Sequence, residues 1–242
     1  MKVRYLPESS KRKQQPGFNR FADICRMYIL LIAATGNEIQ PAVDFFKKKG
    51  DAVETREMES MLTGIGSVST TYFLTRKIQA HRPDLIIQAG IAGCFGGKEL
   101  AELVTVKEDS FADMGASEGG QFKNIFDLRL ADKDAAPFRN GILINPHESI
   151  LSLSLLDQVK GISVNEITTD KTRLDWYRRE YAPVVESMEG AAFHYVCLLE
   201  KIPFLQIRAV SNYIGERDKK KWKTSEAVQV LNEKLIGLIN SL

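Results

Sequence analysis

Cysteine is scarce in this sequence. The three cysteines, Cys25, Cys94 and Cys197, are odd in number and show no Cys-x-x-Cys spacing. Disulfide-stapled scaffolds and cysteine-based zinc sites need paired or clustered cysteines, so the sequence argues against both classes. Isolated thiols fit a reducing compartment, and we expect a cytoplasmic protein.

The sequence also lacks an excess of either charge. Lys and Arg number 33 against 31 Asp and Glu, which gives a formal net charge of +2. Because these charges are scattered along the chain, they indicate no basic surface for nucleic acid. We expect a small-molecule ligand and no nucleic-acid partner.

Long apolar runs are missing as well. The longest, Tyr28 to Ala34, is far shorter than the roughly 20 residues of a membrane-spanning helix. It predicts a buried strand, and we expect no contact with a membrane. A signal peptide is the rival interpretation, but the following Thr35–Glu38 offers no clear small-x-small cleavage site.

The first 26 residues show no apolar periodicity. They are polar, with a basic cluster at 11–13, and Met27 stands just before the first strand-like run. We interpret residues 1–26 as a disordered extension or the product of a mis-set start. With 44% hydrophobic and 26% charged residues in the whole chain, residues 27–242 are predicted to form one globular domain.

Strand-like and helix-like segments alternate along this domain. Predicted strands cover 28–34, 61–64, 84–88, 104–107, 141–144 and 203–210. Predicted helices cover 39–49, 67–80, 150–159, 174–180, 189–199 and 225–242. The glycine-rich stretch 89–93 follows a strand directly and is typical of a turn. The alternation predicts an α/β fold, a sheet with helices on both faces.

Glu38 is the first candidate for chemistry. In such sheets ligands bind where strands end, and Glu38 comes four residues after the first apolar run. Its carboxylate can simply open the helix from Ile39, because an anion is favourable at a helix N-terminus. Alternatively, it is a general base that orients and deprotonates water.

Two carboxylates, Glu186 and Glu189, flank a methionine just before Gly190-Ala-Ala. Small residues let a helix approach a neighbour closely, and both carboxylates can be charges at a helix start. In the functional interpretation, Glu189 accepts hydrogen bonds from sugar hydroxyls while Met188 packs against the ribose.

The polar pair Ser211-Asn212 ends the last predicted strand. Such a pair often forms a turn. An asparagine side chain, however, is both donor and acceptor, which suits the edge of a heterocycle.

Cofactor and metal motifs are not evident. The glycines at 90, 93, 96 and 97 lack the Gly-x-Gly-x-x-Gly spacing, and His147-Glu148 lacks the second histidine of a zinc protease helix. The lysine-rich run 219–223 is typical of a solvated loop, although its Trp222 could close over a substrate.

Four segments occur in a characteristic order: Thr63–Gly66, Gln88–Gly93, Glu186–Ala192 and Ile207–Asn212. Together they resemble the nucleoside phosphorylase and nucleosidase superfamily, most closely its futalosine hydrolases and methylthioadenosine/S-adenosylhomocysteine nucleosidases. The resemblance covers almost the whole chain after residue 27. It implies a three-layer phosphorylase/hydrolase-like fold with a twisted mixed central sheet and helices on both faces.

The resemblance also implies hydrolysis of an N-ribosyl bond without metal or redox cofactor. Glu38 resembles the water-activating carboxylate, and Glu189 the residue that binds the ribose 2′-hydroxyl beside Met188. The reaction passes through an oxocarbenium-like sugar, which nearby carboxylates stabilise. A homodimer or larger assembly is implied too.

Asn212 stands where adenosine-type nucleosidases have aspartate. A protonated aspartate donates to purine N7 and accepts from a 6-amino group, whereas an amide N–H suits the acceptors N7 and O6 of a 6-oxopurine. Ser211 adjoins it, and Ile91 replaces the small hydroxyl residue of the methylthioadenosine enzymes. We therefore predict that futalosine is hydrolysed to hypoxanthine and dehypoxanthine futalosine, in menaquinone biosynthesis.

Other functions remain as alternatives. The first is a methylthioadenosine/S-adenosylhomocysteine nucleosidase, against which Asn212 argues. A phosphorylase would need an arginine-containing phosphate loop, which is not visible in Thr35–Glu38. A non-catalytic nucleoside-binding protein would have no need for both Glu38 and Glu189.

Two parts of the binding site are less defined. Residues 161–169 are expected to supply part of the base pocket. The carboxyphenyl group of futalosine needs a cationic or donor-rich partner, for which Arg217 and the nearby lysines are candidates, with Trp222 as a lid.

Overall fold

Strands and helices alternate through residues 27–49 and 56–242, the part of the chain that this computed structural model describes. The strands are β1 (Met27–Ala33), β2 (Arg56–Leu62), β3 (Leu85–Cys94), β4 (Leu103–Asp109), β5 (Gly115–Glu118), β6 (Gln121–Asn124), β7 (Leu143–Ile144), β8 (Gln158–Ser163), β9 (Val185–Ser187) and β10 (Phe204–Tyr213). The helices are α1 (Gly36–Lys49), α2 (Ser67–Ala80), α3 (Glu148–Leu153), α4 (Lys171–Tyr181), α5 (Gly190–Glu200) and α6 (Thr224–Ser241). The interpretation of residues 1–26 lies outside the described residues.

The central sheet is mixed and has eight strands. Its order is β10-β4-β8-β9-β3-β1-β2, and β7 pairs with β4. β3 also pairs in parallel with β10, so β10, β4, β8, β9 and β3 close into a ring that β1 and β2 extend. A closed ring leaves no free edge among its strands. β5 and β6 form a separate hairpin.

Alternate residues of β1 enter two apolar cores on opposite faces of the sheet. Ile29 and Leu31 pack with residues of α1 and α6. Leu30 and Ile32 pack with residues of α2 and α5. Burial on both faces requires a continuous apolar strand, which is the pattern of β1. The predicted mixed sheet with helices on both faces is confirmed.

Most predicted helices and strands are confirmed, with ends that differ by a few residues. The strand over 61–64 is misplaced, because β2 covers Arg56–Leu62, and β5, β6 and β9 were not predicted. The helix over 150–159 is wrong in its second half, because α3 ends at Leu153 and β8 begins at Gln158. β8 pairs in parallel with both β4 and β9, and Ile162 is fully buried. The burial of β8 depends on two strands that are distant in the chain, and the amino-acid pattern of 158–163 alone does not indicate it.

The predicted turn at 89–93 is also wrong, because β3 continues to Cys94. A Cβ on Gly90 would lie 2.4 Å from Arg208 Nη1, and one on Gly93 would lie 2.4 Å from Ile214 Cδ1. These glycines therefore leave room for side chains that cross the strand. Across the described residues, no helix is long and apolar enough to cross a membrane.

Candidate active site

A cavity of about 370 Å³ opens beside the ends of β1, β3, β9 and β10. All eight residues singled out from the sequence line it: Glu38, Ile91, Met188, Glu189, Ser211, Asn212, Arg217 and Trp222. The fold thus brings together side chains from the first helix to the loop before the last one. Within residues 27–49 and 56–242, no cluster of three His, Cys, Asp or Glu side chains is placed to hold a metal ion.

Glu38 lies in the first turn of α1 and is only 8% exposed. Its Oε2 accepts hydrogen bonds from the backbone N–H and the hydroxyl of Thr35, at 2.9 and 3.0 Å. Its Oε1 accepts from the N–H of Ile91 at 3.1 Å. The backbone contact with Thr35 belongs to a helix-capping box, so Glu38 does help to open the helix. The same contacts hold its carboxylate at the cavity wall.

Arg208 is a charged neighbour of Glu38 that the sequence interpretation did not single out. It is 1% exposed on β10, and its Nη2 donates to Gln88 Oε1 at 2.9 Å. Its Nη1 lies 2.4 Å, and Glu38 Oε1 2.7 Å, from the position of a Cβ on Gly90. Both groups therefore approach the same point above the glycine. The signal for Arg208 was available, because arginine inside a buried strand is rare unless it is paired.

Glu189 lies at the start of α5 and is 6% exposed. Its Oε1 accepts a hydrogen bond from the N–H of Gly66 at 2.9 Å. Gly66 has a φ of 88°, a backbone conformation that favours glycine. Ser67 Oγ donates to the carbonyl of Met188 at 3.3 Å. The loop between β2 and α2 thus fixes the positions of both Glu189 and Met188.

A buried polar cluster is hydrogen-bonded to the first turn of α5. Ser163 Oγ donates to Asp109 Oδ1 at 3.0 Å and accepts from the N–H of Ala191 at 2.7 Å. Gln206 Nε2 donates to Asp109 Oδ2 at 3.3 Å. Burial raises the pKa of Asp109 to about 6, although these hydrogen bonds and the charge of Arg208 lower it. The cluster links β4, β8 and β10 to the helix that carries Glu189.

Asn212 reaches the cavity through a bulge in β10. The pairing with β3 shifts between Val210 and Asn212, so that Asn212 lies opposite Gly93 and Ser211 is the extra residue. Ser211 Oγ contacts the carbonyl of Ala92 at 3.2 Å and Asn212 Oδ1 at 2.9 Å. The turn interpretation of this pair is therefore wrong. Bulges commonly re-aim side chains beside active sites.

Glu186 also lines the cavity and is 6% exposed. It lies in β9, opposite Gly93 of β3. Burial, and secondarily the charge of Asp113, raises the pKa of Glu186 to about 7. The sequence interpretation treated this residue only as a charge beside Glu189.

The loop after β10 contributes Glu216, Arg217 and Trp222 to the cavity wall. Trp222 Nε1 donates to the carbonyl of Glu216 at 3.2 Å, and the guanidinium of Arg217 lies 5.9 Å from the Trp222 ring. Of residues 161–169, only Ile167 and Thr168 line the cavity. That segment therefore contributes its last part to the site.

Comparison with known sequences places the chain among purine nucleosidases. The family model of the Phosphorylase superfamily matches residues 158–240. The futalosine hydrolase of Thermus thermophilus is 31% identical over 173 residues, which cover 70% of this chain and 75% of that protein. A 5′-methylthioadenosine/S-adenosylhomocysteine nucleosidase of Chromohalobacter salexigens is 29% identical over 165 residues, or 66% of this chain and 68% of that one.

Solved structures match the fold over nearly its full length. The native futalosine hydrolase of Helicobacter pylori superposes with a TM-score of 0.75 at 17% identity, covering 90% of this chain and 99% of that one. A mutant methylthioadenosine nucleosidase of Helicobacter pylori, with 5′-methylthioadenosine in its active site, gives a TM-score of 0.74 at 17% identity, covering 89% and 99%. At these identities the match concerns the fold alone.

Proposed function

This chain belongs to the futalosine hydrolase family of the phosphorylase superfamily, and we propose that it hydrolyses the N-glycosidic bond of futalosine. The products would be hypoxanthine and dehypoxanthine futalosine, and the pathway menaquinone biosynthesis. The observation that carries the choice of base is Asn212, which lines the cavity. Its Nδ2 donates one hydrogen bond to the carbonyl of Tyr213 at 3.2 Å, and its second N–H matches an acceptor of a 6-oxopurine, O6 or N7.

In the proposed reaction Glu38 removes a proton from a bound water. The water oxygen bonds to the ribose C1′ as the C1′–N9 bond breaks, and the bonding pair leaves with the purine. A hydrogen bond from Asn212 Nδ2 to N7 or O6 stabilises the negative charge on the leaving base. The departing purine anion takes up a proton from solvent, and Glu38 releases to solvent the proton that it removed, so Asn212 transfers none.

Glu189 would bind the sugar in this reaction. Among the described residues its hydrogen bonding engages only Oε1, through Gly66, so Oε2 is available to ribose hydroxyls. Its negative charge also stabilises the oxocarbenium-like sugar as the glycosidic bond breaks. Met188 would pack against the ribose face, and Ile91 would close the wall beside Glu38.

The loop after β10 would bind the part of futalosine beyond the ribose. Its carboxyphenyl anion would lie near Arg217, with Trp222 as a cover, because a guanidinium is a strong partner for a carboxylate. Both residues line the cavity on the loop after β10.

The test is base release from futalosine, 5′-methylthioadenosine and inosine in phosphate-free buffer, followed by chromatography. We expect hypoxanthine from futalosine without added phosphate. A requirement for phosphate would instead indicate a phosphorylase. Adenine from 5′-methylthioadenosine, with futalosine left intact, would favour the alternative function, which the 29% identical nucleosidase supports.

We also propose that two copies of the chain associate through an apolar face beside the site. Five large apolar side chains from the end of β2, through the following loop and into α2, are exposed: Leu62, Ile65, Val68, Tyr72 and Phe73. We call these residues the α2 face. Ile65 also lines the cavity, so a partner covering this face would border the active site. Contiguous exposed apolar residues commonly mark such interfaces.

A cytoplasmic location is part of the same proposal. Cys94 and Cys197 are buried free thiols, a state that a reducing compartment preserves. Fractionation of cells that express the full chain would test it, and recovery in a secreted fraction would overturn it.

A further inference from the structure

Glu186 has no part in the hydrolytic steps proposed above, although it lines the same cavity. It is 6% exposed, and its Oε2 has no hydrogen-bond partner within the part of the chain that is described. A buried acceptor without a donor is costly. Rotation about the last side-chain torsion can turn either carboxylate oxygen toward the cavity, so a ligand that brings a donor to this carboxylate would remove that cost.

Glu186 and Asn212 pair with the same residue of β3, from strands on its two sides. Gly93 pairs with Glu186 across β9 and with Asn212 across β10. Directly paired residues project their side chains from the same face of a sheet. Two strand spacings, about 10 Å, separate the two backbones, so the side chains approach the cavity from two sides of a central strand.

Ile214 covers the strand between them. Gly93 has no side chain, and Ile214 Cδ1 lies 2.4 Å from where a Cβ would be. Because Ile214 also lines the cavity, a base held between the two polar groups would rest on its apolar side chain. A purine needs this combination, an apolar contact for its ring and polar groups at its edge.

We propose that Glu186 recognises the purine base, its carboxylate accepting a hydrogen bond from N1–H of a 6-oxopurine while Asn212 donates to O6 or N7. This inference rests on the proposed function. Hypoxanthine carries a donor at N1, whereas adenine carries a lone pair there. An ionised Glu186 would therefore bind the first base and repel the second, which gives the site a second determinant of specificity.

The groups around Glu186 make this recognition dependent on pH. Asp113, in the loop after β4, raises the pKa of Glu186 through its charge. Tyr177 of α4 is also near enough to interact with Glu186, and its hydroxyl contacts Arg173. The neutral acid accepts from N1–H only through its carbonyl oxygen, whereas the ionised carboxylate is the stronger acceptor. Because the pKa of Glu186 is raised to about 7, the change between these two forms falls near neutrality. Hypoxanthine affinity should rise from pH 6 to pH 8.

The experiment compares binding of hypoxanthine and 1-methylhypoxanthine by titration calorimetry at pH 6 and pH 8. The methyl group removes the N1 donor without changing O6 or N7. We expect the wild-type chain to prefer hypoxanthine, and Glu186→Leu to lose about 10- to 100-fold in hypoxanthine affinity while 1-methylhypoxanthine binding does not weaken. Glu186→Gln should keep part of the preference, through its amide oxygen, but lose the pH dependence.

Glu180→Leu is the matched control, because Glu180 is an exposed carboxylate on α4. It should bind both bases as the wild type does. A preference for hypoxanthine that survives in Glu186→Leu would overturn the inference, as would an equal loss of affinity for both bases.

Base release from futalosine by the same preparations separates this inference from the proposed function. Hypoxanthine release by the wild type, with an unchanged N1 preference in Glu186→Leu, would overturn the role of Glu186 alone. A wild-type chain that neither releases hypoxanthine nor prefers it over 1-methylhypoxanthine would overturn both.

Discussion

Glu38 and Glu186 line one cavity, but their carboxylates differ in how many hydrogen bonds the protein gives them. Glu38 accepts three hydrogen bonds, from two groups of Thr35 and from the N–H of Ile91. Glu186 has a buried oxygen without a partner among the described residues. The first arrangement fixes a carboxylate before the substrate arrives. The Glu186 carboxylate leaves an acceptor for a ligand, and its buried oxygen without a partner lowers the stability of the folded protein.

We expect Glu38→Gln to reduce kcat for futalosine hydrolysis by about 10²- to 10⁴-fold, the range of general-base catalysis, with little change in substrate binding. The amide cannot take a proton from water at neutral pH. Single-turnover rates and substrate affinity measured separately check this outcome. A near-normal rate in a folded variant would contradict the role of Glu38.

The raised pKa of Glu186 predicts a stability that depends on pH. Burial raises this pKa from 4.5 to about 7, so the folded protein binds a proton that the unfolded chain has lost. Stability is therefore lost as pH rises from about 4.5 to 7. The free energy of unfolding of Glu186→Gln minus that of the wild type should therefore increase from pH 5 to pH 8, by about 1–3 kcal/mol. Denaturant unfolding at the two pH values tests this, and an equal difference at both would contradict it.

Asn212→Asp should shift the choice of base. A protonated aspartate can donate to N7 and accept from a 6-amino group, whereas its ionised form repels O6. We expect futalosine hydrolysis to fall at least 10-fold and adenine release from 5′-methylthioadenosine to rise, most clearly at low pH. The ratio of the two kcat/KM values measures the effect. An unchanged ratio would mean that Asn212 does not read the base.

At the scale of elements, β3 and β10 position the site through departures from regular structure. The bulge at Ser211 turns Asn212 to the cavity. Gly90 leaves space for Arg208 and Glu38, which approach it from different segments. Two neighbouring strands therefore border both the proposed base-binding side and the proposed water-binding side of the cavity.

Gly90→Ala tests this close approach. The new methyl would lie 2.4 Å from Arg208 Nη1 and 2.7 Å from Glu38 Oε1, so one of them must move. We expect a loss of about 1–3 kcal/mol in stability and at least a 10-fold lower kcat. Thermal unfolding and hydrolysis rates check both. Gly237→Ala, in α6 where a Cβ meets nothing within 4 Å, should keep its activity and gain stability.

At the scale of the whole molecule, the two faces of the sheet are covered differently. α1 and α6 pack against each other and against one face. On the other face α2 packs against α5, but its outer side exposes Val68 at 83% and Tyr72 at 54%. A helix with an apolar inner side and an apolar outer side is typical of one buried between two copies of a chain.

We expect the wild-type protein to sediment as a dimer and Val68→Asp, in the α2 face, to sediment as a monomer with reduced activity. Activity should fall because Ile65 of the same face borders the cavity. Leu130→Asp is the control, since Leu130 is 74% exposed elsewhere and its charge should not change the assembly. A monomeric wild type would overturn the proposed interface.

Much of the site was predictable from the sequence because its signals are local. Glu38 stands directly before the predicted helix from Ile39, and Gly190-Ala-Ala follows Glu189 at a helix start. Chemistry and spacing therefore indicated a helix end and a carboxylate together. The apolar run at 28–34 likewise predicted a strand buried on both faces.

The rest depended on pairing between distant segments. That Glu186 and Asn212 both lie opposite Gly93 follows from the registers of β9 and β10 against β3. Shifting a strand by one residue moves each side chain to the other face of the sheet. The sequence by itself determined the fold class, the family and eight residues of the cavity. Only the tertiary structure decided that Arg208 approaches Glu38 and that Glu186 has a buried oxygen without a donor among residues 27–49 and 56–242. Both features arise where strands far apart in the chain become neighbours.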